Sequence, residues 1–361
     1  MHDSYCELVL PFASNAEVLE RYINAHGAIR LGKLLENLDS LAGSIAYKHM
    51  LGPTVKEVGK RDFYMVTASV ERLDMHAYPD PKRDLRLSGQ VIYTSRSSME
   101  IVVKMESVGG VSGGKPVEDT TVMIGRFTMA CRNAYVNKAK EIHQLEIVTD
   151  EEKALWELGE HTKARRRQIA SRSLSHSPPS TEEAAALHAF YLKHGREEDG
   201  SKADRVWMGD TVLGQTNLMF PQERNVHQKI FGGYLMRLAY ELGFTSAVFF
   251  CRGHVRFLSL DEISFTRPVP IGSILRLDSI IMHTSTTEAG GLLVHVGVKA
   301  NVVNVATGEE QTTNDFKFTF SQEQPTTTRQ VVPKTYQETM LWVEGRRALE
   351  LGAQIRGSRG A

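Results

Sequence analysis

Cysteine is scarce: Cys6, Cys131 and Cys251 are the only three in 361 residues. Their wide spacing and odd number argue for a reducing compartment and against a zinc site. Charge of one sign is not in excess either, with 43 Lys and Arg against 43 Asp and Glu. The chain therefore has no global field to recruit nucleic acid or an anionic membrane. No apolar run reaches the roughly 18 residues that a spanning helix needs. The opening "MHDSYCELVLPF" is neither a signal peptide nor an Arg-rich transit peptide. Metal-ligand clusters, a Walker loop and a dinucleotide fingerprint are all missing. The expectation is a soluble intracellular protein, long enough for two domains, with no metal, nucleic-acid partner or membrane span.

What the sequence does have is a repeat. Aligning Gly233 on Gly32, an offset of 201 residues (233 − 32), puts Asn225 on Asn24, His227 on His26 and Ile230 on Ile29. "NAHGAIRLG" and "NVHQKIFGG" are thus the same approach to the same helix. The first copy continues "KLLENLDSLAGSIAYKHM" and the second "YLMRLAYELGFTSAVFFC". Each predicts a helix of about five turns with a nearly all-apolar stripe, as expected of one wrapped by a sheet. Strand-like segments follow each helix, at 63–75, 85–95, 98–107 and 120–131, then at 255–265, 274–285, 291–303 and 312–320. Several alternate apolar and polar, the pattern of an antiparallel sheet with one covered face. "MHDS" at 1–4 resembles "MGDT" at 208–211, so the chain begins where a repeat begins and any targeting peptide is expected to have been trimmed.

The repeat divides the chain into a first domain at 1–135, a charged helical linker at 136–205, a second domain at 206–325 and a helical tail at 326–361. The basic cluster Lys163–Arg167 lacks interleaved aromatics and is flanked by acids, so it reads as a solvated helix face. The tail reads as one amphipathic helix over 334–352, a structural element with an apolar face to set against a neighbour. Gly232 and Gly233, at the mouth of the second helix, raise a question of their own. Glycine in a helix costs about 1 kcal/mol against alanine. Either the pair lets the helix pack closely on its surroundings, or a ligand approaches the backbone there.

A long helix followed by a curled antiparallel sheet, twice in one chain, is similar to the double hotdog fold, in the α+β class. "GKLLENLDSLAG" resembles the hotdog helix of acyl-coenzyme A thioesterases, "VTASVE" the strand after it, and "NVHQKIFGG" their Asn-x-His and Gly-Gly lead-in. With "YCELVLPF" and the long linker, the chain most resembles the mitochondrial two-hotdog type. That resemblance implies hydrolysis of fatty acyl-CoA to fatty acid and coenzyme A, without a bound cofactor. It also implies one active site at the interface of the two domains, a homo-oligomer that is a trimer of double hotdogs, and the mitochondrial matrix, with the cytosol as the alternative. The rival reading is a non-catalytic acyl-CoA or lipid-binding hotdog protein.

Thioester hydrolysis needs a donor to the developing oxyanion and a base or nucleophile beside the carbonyl. A helix N-terminus supplies backbone N–H groups and a positive dipole end, so Gly232 and Gly233 are candidates for the oxyanion site. Asp39, seven residues past Gly32, is displaced by only about 20° around the axis. A carboxylate on an apolar helix face is expensive to bury without a task; the plain alternative is a surface residue bonded to the linker. The equivalent position in the second half is Tyr240, with Glu241 next. By resemblance, the Asn and the acid of one site come from opposite domains. The expectation is a complete constellation of Asp39 with Asn225, and a degenerate one of Asn24 with Tyr240. His26 and His227 read as loop residues that hydrogen-bond and transfer no proton. For the coenzyme A phosphates the leading candidates are Arg96 and Arg256, with Lys33, Arg237 and Arg267 also eligible.

Overall fold

The computed structural model describes residues 1–54, 61–112, 115–171, 173–174, 176–195, 204–225, 228–287, 289–325 and 328–357, with 111–112, 115–116 and 161–171 by backbone alone. The basic cluster Lys163–Arg167 therefore lies outside the described side chains, and His227 outside the described residues.

In the first half, strands pair in the order Cys6–Leu10, Leu85–Thr94, Ser98–Ser107, Thr120–Asn133 and Phe63–Val70, every neighbour antiparallel. Helix Leu31–Leu51 packs on them. Its Leu34, Leu35, Leu38, Ala42, Ile45 and Ala46 are at most 1% exposed, so the helical spacing of the sequence is the core spacing of the fold. Each buried leucine contributes roughly 1.5–3 kcal/mol. The helix lies so close to the sheet that a Cβ on Gly89 would stand 2.9 Å from Ile45 Cδ1 and 2.4 Å from Val102 O. The second half repeats the strand order: Leu213–Leu218, Ile274–Thr286, Leu292–Val303, Glu310–Gln322 and Arg256–Leu260. Its helix is Gly232–Cys251, with Leu235, Met236, Ala239 and Ala247 buried. Two long helices, each with an antiparallel sheet, make the fold a tandem double hotdog.

The repeat extends further than helix and sheet. In both halves the register shifts at a bulge in the second strand of that order, between Val91 and Tyr93 and between Ile281 and His283. A later helix crosses each bulge with a glycine. A Cβ at Gly159, in helix Asp150–Ser171, would lie 2.5 Å from Tyr93 Cβ. One at Gly345, in helix Tyr336–Gly357, would lie 2.6 Å from His283 Cβ. Three residues earlier Trp156 meets the Tyr93 ring at 5.5 Å, and Trp342 meets His283 at 4.5 Å. "LWELG" at 155–159 and "LWVEG" at 341–345 are thus one motif. The linker and tail hold the last helix of each repeat, and the tail packs on its own strand Ile274–Thr286 rather than awaiting a neighbour.

Compactness cuts the chain differently from sequence order. One unit comprises Met1–Ala164, Phe220–Arg237 and Glu262–Ile271; the other comprises Arg165–Met219, Leu238–Asp261 and Gly272–Ala361. The loop before the second helix and that helix's first turns therefore belong to the first unit, where strand Ile263–Ser264 also pairs with Phe63–Val70.

His283 is 6% exposed beneath the tail helix, and its Nδ1 makes no hydrogen bond. Burial pushes its pKa down to about 3, with His295 and Arg346 acting in the same direction. Between the usual 6.5 and about 3 the unfolded chain binds a proton that the folded one does not. The stability contributed by neutral His283 is therefore whole above that window and is lost as pH falls through it. We expect denaturant unfolding to show a lower stability near about pH 4 than at neutrality, and the difference to shrink in His283→Phe. An unchanged difference in the variant would count against this role for His283.

Candidate active site

Asp39 points inward from helix Leu31–Leu51 and is 1% exposed. Thr67, on strand Phe63–Val70, donates its hydroxyl to Asp39 Oδ1 at 2.6 Å. Asp39 Oδ2 makes no hydrogen bond. The neighbouring Gly233 N–H is near enough to favour the charged carboxylate, although its geometry falls short of a hydrogen bond. Burial dominates and pushes the Asp39 pKa up to about 6; Thr67 and Gly233 oppose it, and Glu36 adds to it. The result is a carboxylate with one oxygen anchored and one without a hydrogen bond, half-ionised near pH 6 and mostly ionised at neutrality.

The two glycines do different work. A Cβ at Gly233 would stand 2.9 Å from Glu36 O and 3.0 Å from Glu36 Cα, so this glycine permits backbone-to-backbone approach of the second helix's first turn to the first helix. A Cβ at Gly232 would stand 3.2 Å from Asp39 Oδ2 and 3.2 Å from Phe265 Cε1. Gly232 thus keeps the space in front of the carboxylate open. The packing reading holds for Gly233 and the ligand-space reading fits Gly232.

Asn225 sits in the loop before that helix. Its N–H donates to Lys229 O at 2.7 Å, and its Oδ1 accepts from Lys229 N at 3.2 Å. Asn24 makes the same turn: its N–H donates to Ala28 O, and its Oδ1 accepts from His26 N and Ala28 N. Even the left-handed position is shared, Gly27 at φ 74° and Gln228 at φ 60°. Asn225 lines a cavity of about 770 Å3 together with Asp39, Thr67 and Gly232. Tyr47, Met65, Met129, Leu235 and Phe265 give that cavity apolar wall, while Arg132, Arg224, Lys229 and Arg267 give it cations.

The remaining sequence candidates fall elsewhere. Arg96 donates to Glu141 at 2.8 Å, with the two side chains 84% and 72% exposed, and does not line the cavity. Arg256 pairs with Glu323. Lys33 lies over the Tyr22 ring at 5.2 Å, and Arg237 is bound to Glu36. Of the five basic candidates, Arg267 lines the cavity. Tyr240 is 7% exposed and packs edge-on to Phe257 at 5.4 Å and Phe318 at 5.9 Å, so its ring serves the core. Glu241 is half-buried beside it. Sequence reasoning missed Thr67, Arg132, Arg224 and Lys229. Thr67 had a trace, a hydroxyl in the strand "VTASVE"; the cations are gathered from distant segments and had none. Among the described residues no cluster of three His, Cys, Asp or Glu side chains is arranged to hold a metal ion.

An apolar-and-basic cavity with a buried carboxylate beside a helix mouth, on a double hotdog, is an arrangement that suits thioester hydrolysis. No family model matches the chain. Among curated proteins, the mitochondrial acyl-coenzyme A thioesterase 9 of Bos taurus is 34% identical over 354 residues, covering 96% of this chain and 77% of that one. The Homo sapiens thioesterase 9 gives the same identity and coverage. The mitochondrial acyl-coenzyme A thioesterase 4 of Humulus lupulus is 34% identical over 346 residues, 93% of this chain and 64% of its own. Among solved structures, an oleoyl thioesterase of Lactobacillus plantarum matches in fold with a TM-score of 0.51, at 7% identity, over 88% of this chain and 94% of its own. The chain belongs to the mitochondrial acyl-coenzyme A thioesterase family.

Burying Asp39 has a consequence for stability. Its folded pKa of about 6 lies above the ordinary 3.8. The relative stability this gives is present below 3.8 and lost as pH rises through about 6. At neutral pH the ionised group therefore destabilises the fold by an amount on the order of 3 kcal/mol. Asp39→Asn is expected to unfold at higher denaturant than wild type at neutral pH, with the gap closing in mild acid. A variant less stable than wild type at neutrality would show Asp39 to be a structural residue.

Proposed function

We propose that the cavity hydrolyses acyl-CoA with Asp39 as general base and Asn225, with the N-terminal turn of helix Gly232–Cys251, as oxyanion donors. The observation that carries it is Asp39 itself: buried, anchored through Oδ1 by Thr67, and with Oδ2 unbonded beside Gly232. Water held by Oδ2 loses a proton to the carboxylate as its oxygen bonds to the thioester carbon. The carbonyl electrons move onto oxygen, toward the Asn225 amide N–H and the helix-mouth N–H groups. As the tetrahedral intermediate collapses, the C–S bond breaks and the proton on Asp39 passes to the departing sulfur. The products are a fatty acid and the free thiol of coenzyme A, and no cofactor enters the balance. Arg132, Arg224, Lys229 and Arg267 supply the charge that coenzyme A phosphates need, with Met65, Met129 and Leu235 alongside the acyl portion. The protein acts in the mitochondrion, as its family does, with the matrix as the compartment that the family resemblance favours.

The test is thiol release from acyl-CoA, followed with a thiol-reactive dye. The acidic limb of the rate profile should fall near the Asp39 value of about 6, with activity rising above it. Asp39→Asn is expected to lose about 10²–10⁴ in rate, and Asn225→Ala about 10²–10³. Asn24→Ala and Tyr240→Phe, away from this cavity, should leave turnover largely intact. No thiol release at any chain length would return the protein to the non-catalytic acyl-CoA-binding reading. As to assembly, we propose three chains per particle. Light scattering should give three times the 40.4 kDa chain, and a monomer mass would remove the trimer without touching the fold.

A further inference from the structure

Glu36 stands one turn before Asp39 on the first central helix and lines the same cavity. A second carboxylate at this range disfavours ionisation of the first. Facing Glu36 is Arg237, from the second turn of helix Gly232–Cys251, whose Nη1 donates to Glu36 Oε2 at 2.9 Å. The two side chains are 23% and 20% exposed, so solvent screens the pair only in part. Arg237 is also held over the Tyr234 ring at 4.9 Å. The backbone contact of Gly233 with Glu36 keeps these helices at the separation that the bridge spans.

Glu36 and Arg237 are the same position of the repeat, 201 residues apart. Two copies of an unaltered repeat would put like charges against each other here. One acid and one cation turn that repulsion into an ion pair, and the acid lies on the helix that kept its catalytic carboxylate. We propose that this ion pair adjusts, on top of the larger effect of burial, how readily Asp39 gives up its proton, with Arg237 acting as a positioning residue that holds and neutralises Glu36 from the opposite helix. The proposal rests on Asp39 being the base.

The other groups around Asp39 leave this role to the pair. Thr67 and the backbone of Gly232 and Gly233 face the carboxylate and do not titrate near neutrality. Arg132, Glu223, Arg224, Lys229 and Arg267 line the cavity with Tyr47 and Tyr64, yet Glu36 is the charge that acts on Asp39. Lys33 feels both Glu36 and Arg237 from the helix surface.

The experiment is kcat/KM for one acyl-CoA against pH, in the full chain. Arg237→Gln leaves Glu36 charged beside Asp39, so the acidic limb should move up by roughly half a unit to one unit. Glu36→Gln removes the neighbouring charge and leaves the cation, so the limb should move down by a similar amount. The double variant should return close to wild type, and Arg237→Lys should hold the limb in place. A bridge with a structural role alone would slow both single variants without driving their limbs apart. Limbs that stay together, or move in the same direction, overturn the proposal. Should Arg237→Gln fail to fold, Glu36→Gln and Arg237→Lys still decide it, since a limb unmoved in the first or displaced in the second is the wrong result. An acidic limb that survives Asp39→Asn would overturn the base assignment itself and this proposal with it. That outcome is separate from a limb that Asp39 controls but the pair does not move.

Discussion

Everything at this site depends on keeping one carboxylate out of water. Asp39 is almost wholly buried, and its environment is poor in compensation: one hydroxyl on Oδ1, a near-miss backbone N–H, and no hydrogen bond on Oδ2. A group so placed favours its neutral form and weakens the fold whenever it ionises. The fold tolerates it because the helix that carries it is otherwise a leucine and alanine stripe packed on a five-strand sheet. The same desolvation lifts Asp39 to about 6, and a carboxylate there is a better proton acceptor than one near 3.8. Gly232 and Gly233 are the geometric condition. Without them the second helix could neither approach the first nor leave room before Oδ2.

The two halves show what duplication preserved and what it released. Backbone devices survive at the level of single hydrogen bonds: the Asn24 and Asn225 turns, the left-handed residue four before each helix, the strand bulge, and the glycine that crosses it. These set where the chain goes, and a change in any of them moves whole elements. Gln228 in place of Gly27 is a tolerated departure, because one left-handed side chain costs on the order of 1–2 kcal/mol and does not redirect the loop. Side chains at the helix face diverged freely, Asp39 against Tyr240 and Glu36 against Arg237.

Much of this was legible in the sequence, and the remainder was hidden for identifiable reasons. The repeated Asn-x-His lead-in and the apolar helices sat at fixed sequence offsets, so periodicity exposed them, whereas Asp39 stood out as a carboxylate on an apolar helix face and by resemblance to a family. The linker and tail were legible as helical, but "LWELG" and "LWVEG" escaped notice as a repeat because their offset differs from that of the central helices, a consequence of unequal loops between them. Their glycines looked like ordinary helix interruptions, although each clears a path over a bulged side chain. Thr67 was hidden by type, since a threonine in a strand is what any sheet would hold. Arg96 and Arg256 drew notice as charges near strand ends, yet each is taken up by its own acid, Glu141 and Glu323. Which cation meets a cavity is decided by loops that come together only in three dimensions.

Tyr240 shows how differently the two halves use the position that Asp39 holds in the first. At that position the second helix faces Phe257, Phe318 and Phe320, and the tyrosine ring, with Phe244 one turn further along the same helix, completes the aromatic group. Each such ring pair adds about 0.5–1.5 kcal/mol beyond simple burial, where an ionised carboxylate would subtract a few. Tyr240 therefore strengthens the core where it stands, while Asp39, at the equivalent position of the first half, is a destabilised group whenever it ionises. With both sites intact the chain would carry that destabilisation twice. A tandem chain is free to hold it once, because fusion lets the two positions of a former symmetry differ. The same freedom sets Glu36 against Arg237, an ion pair that no homodimer of either half could form across its own axis.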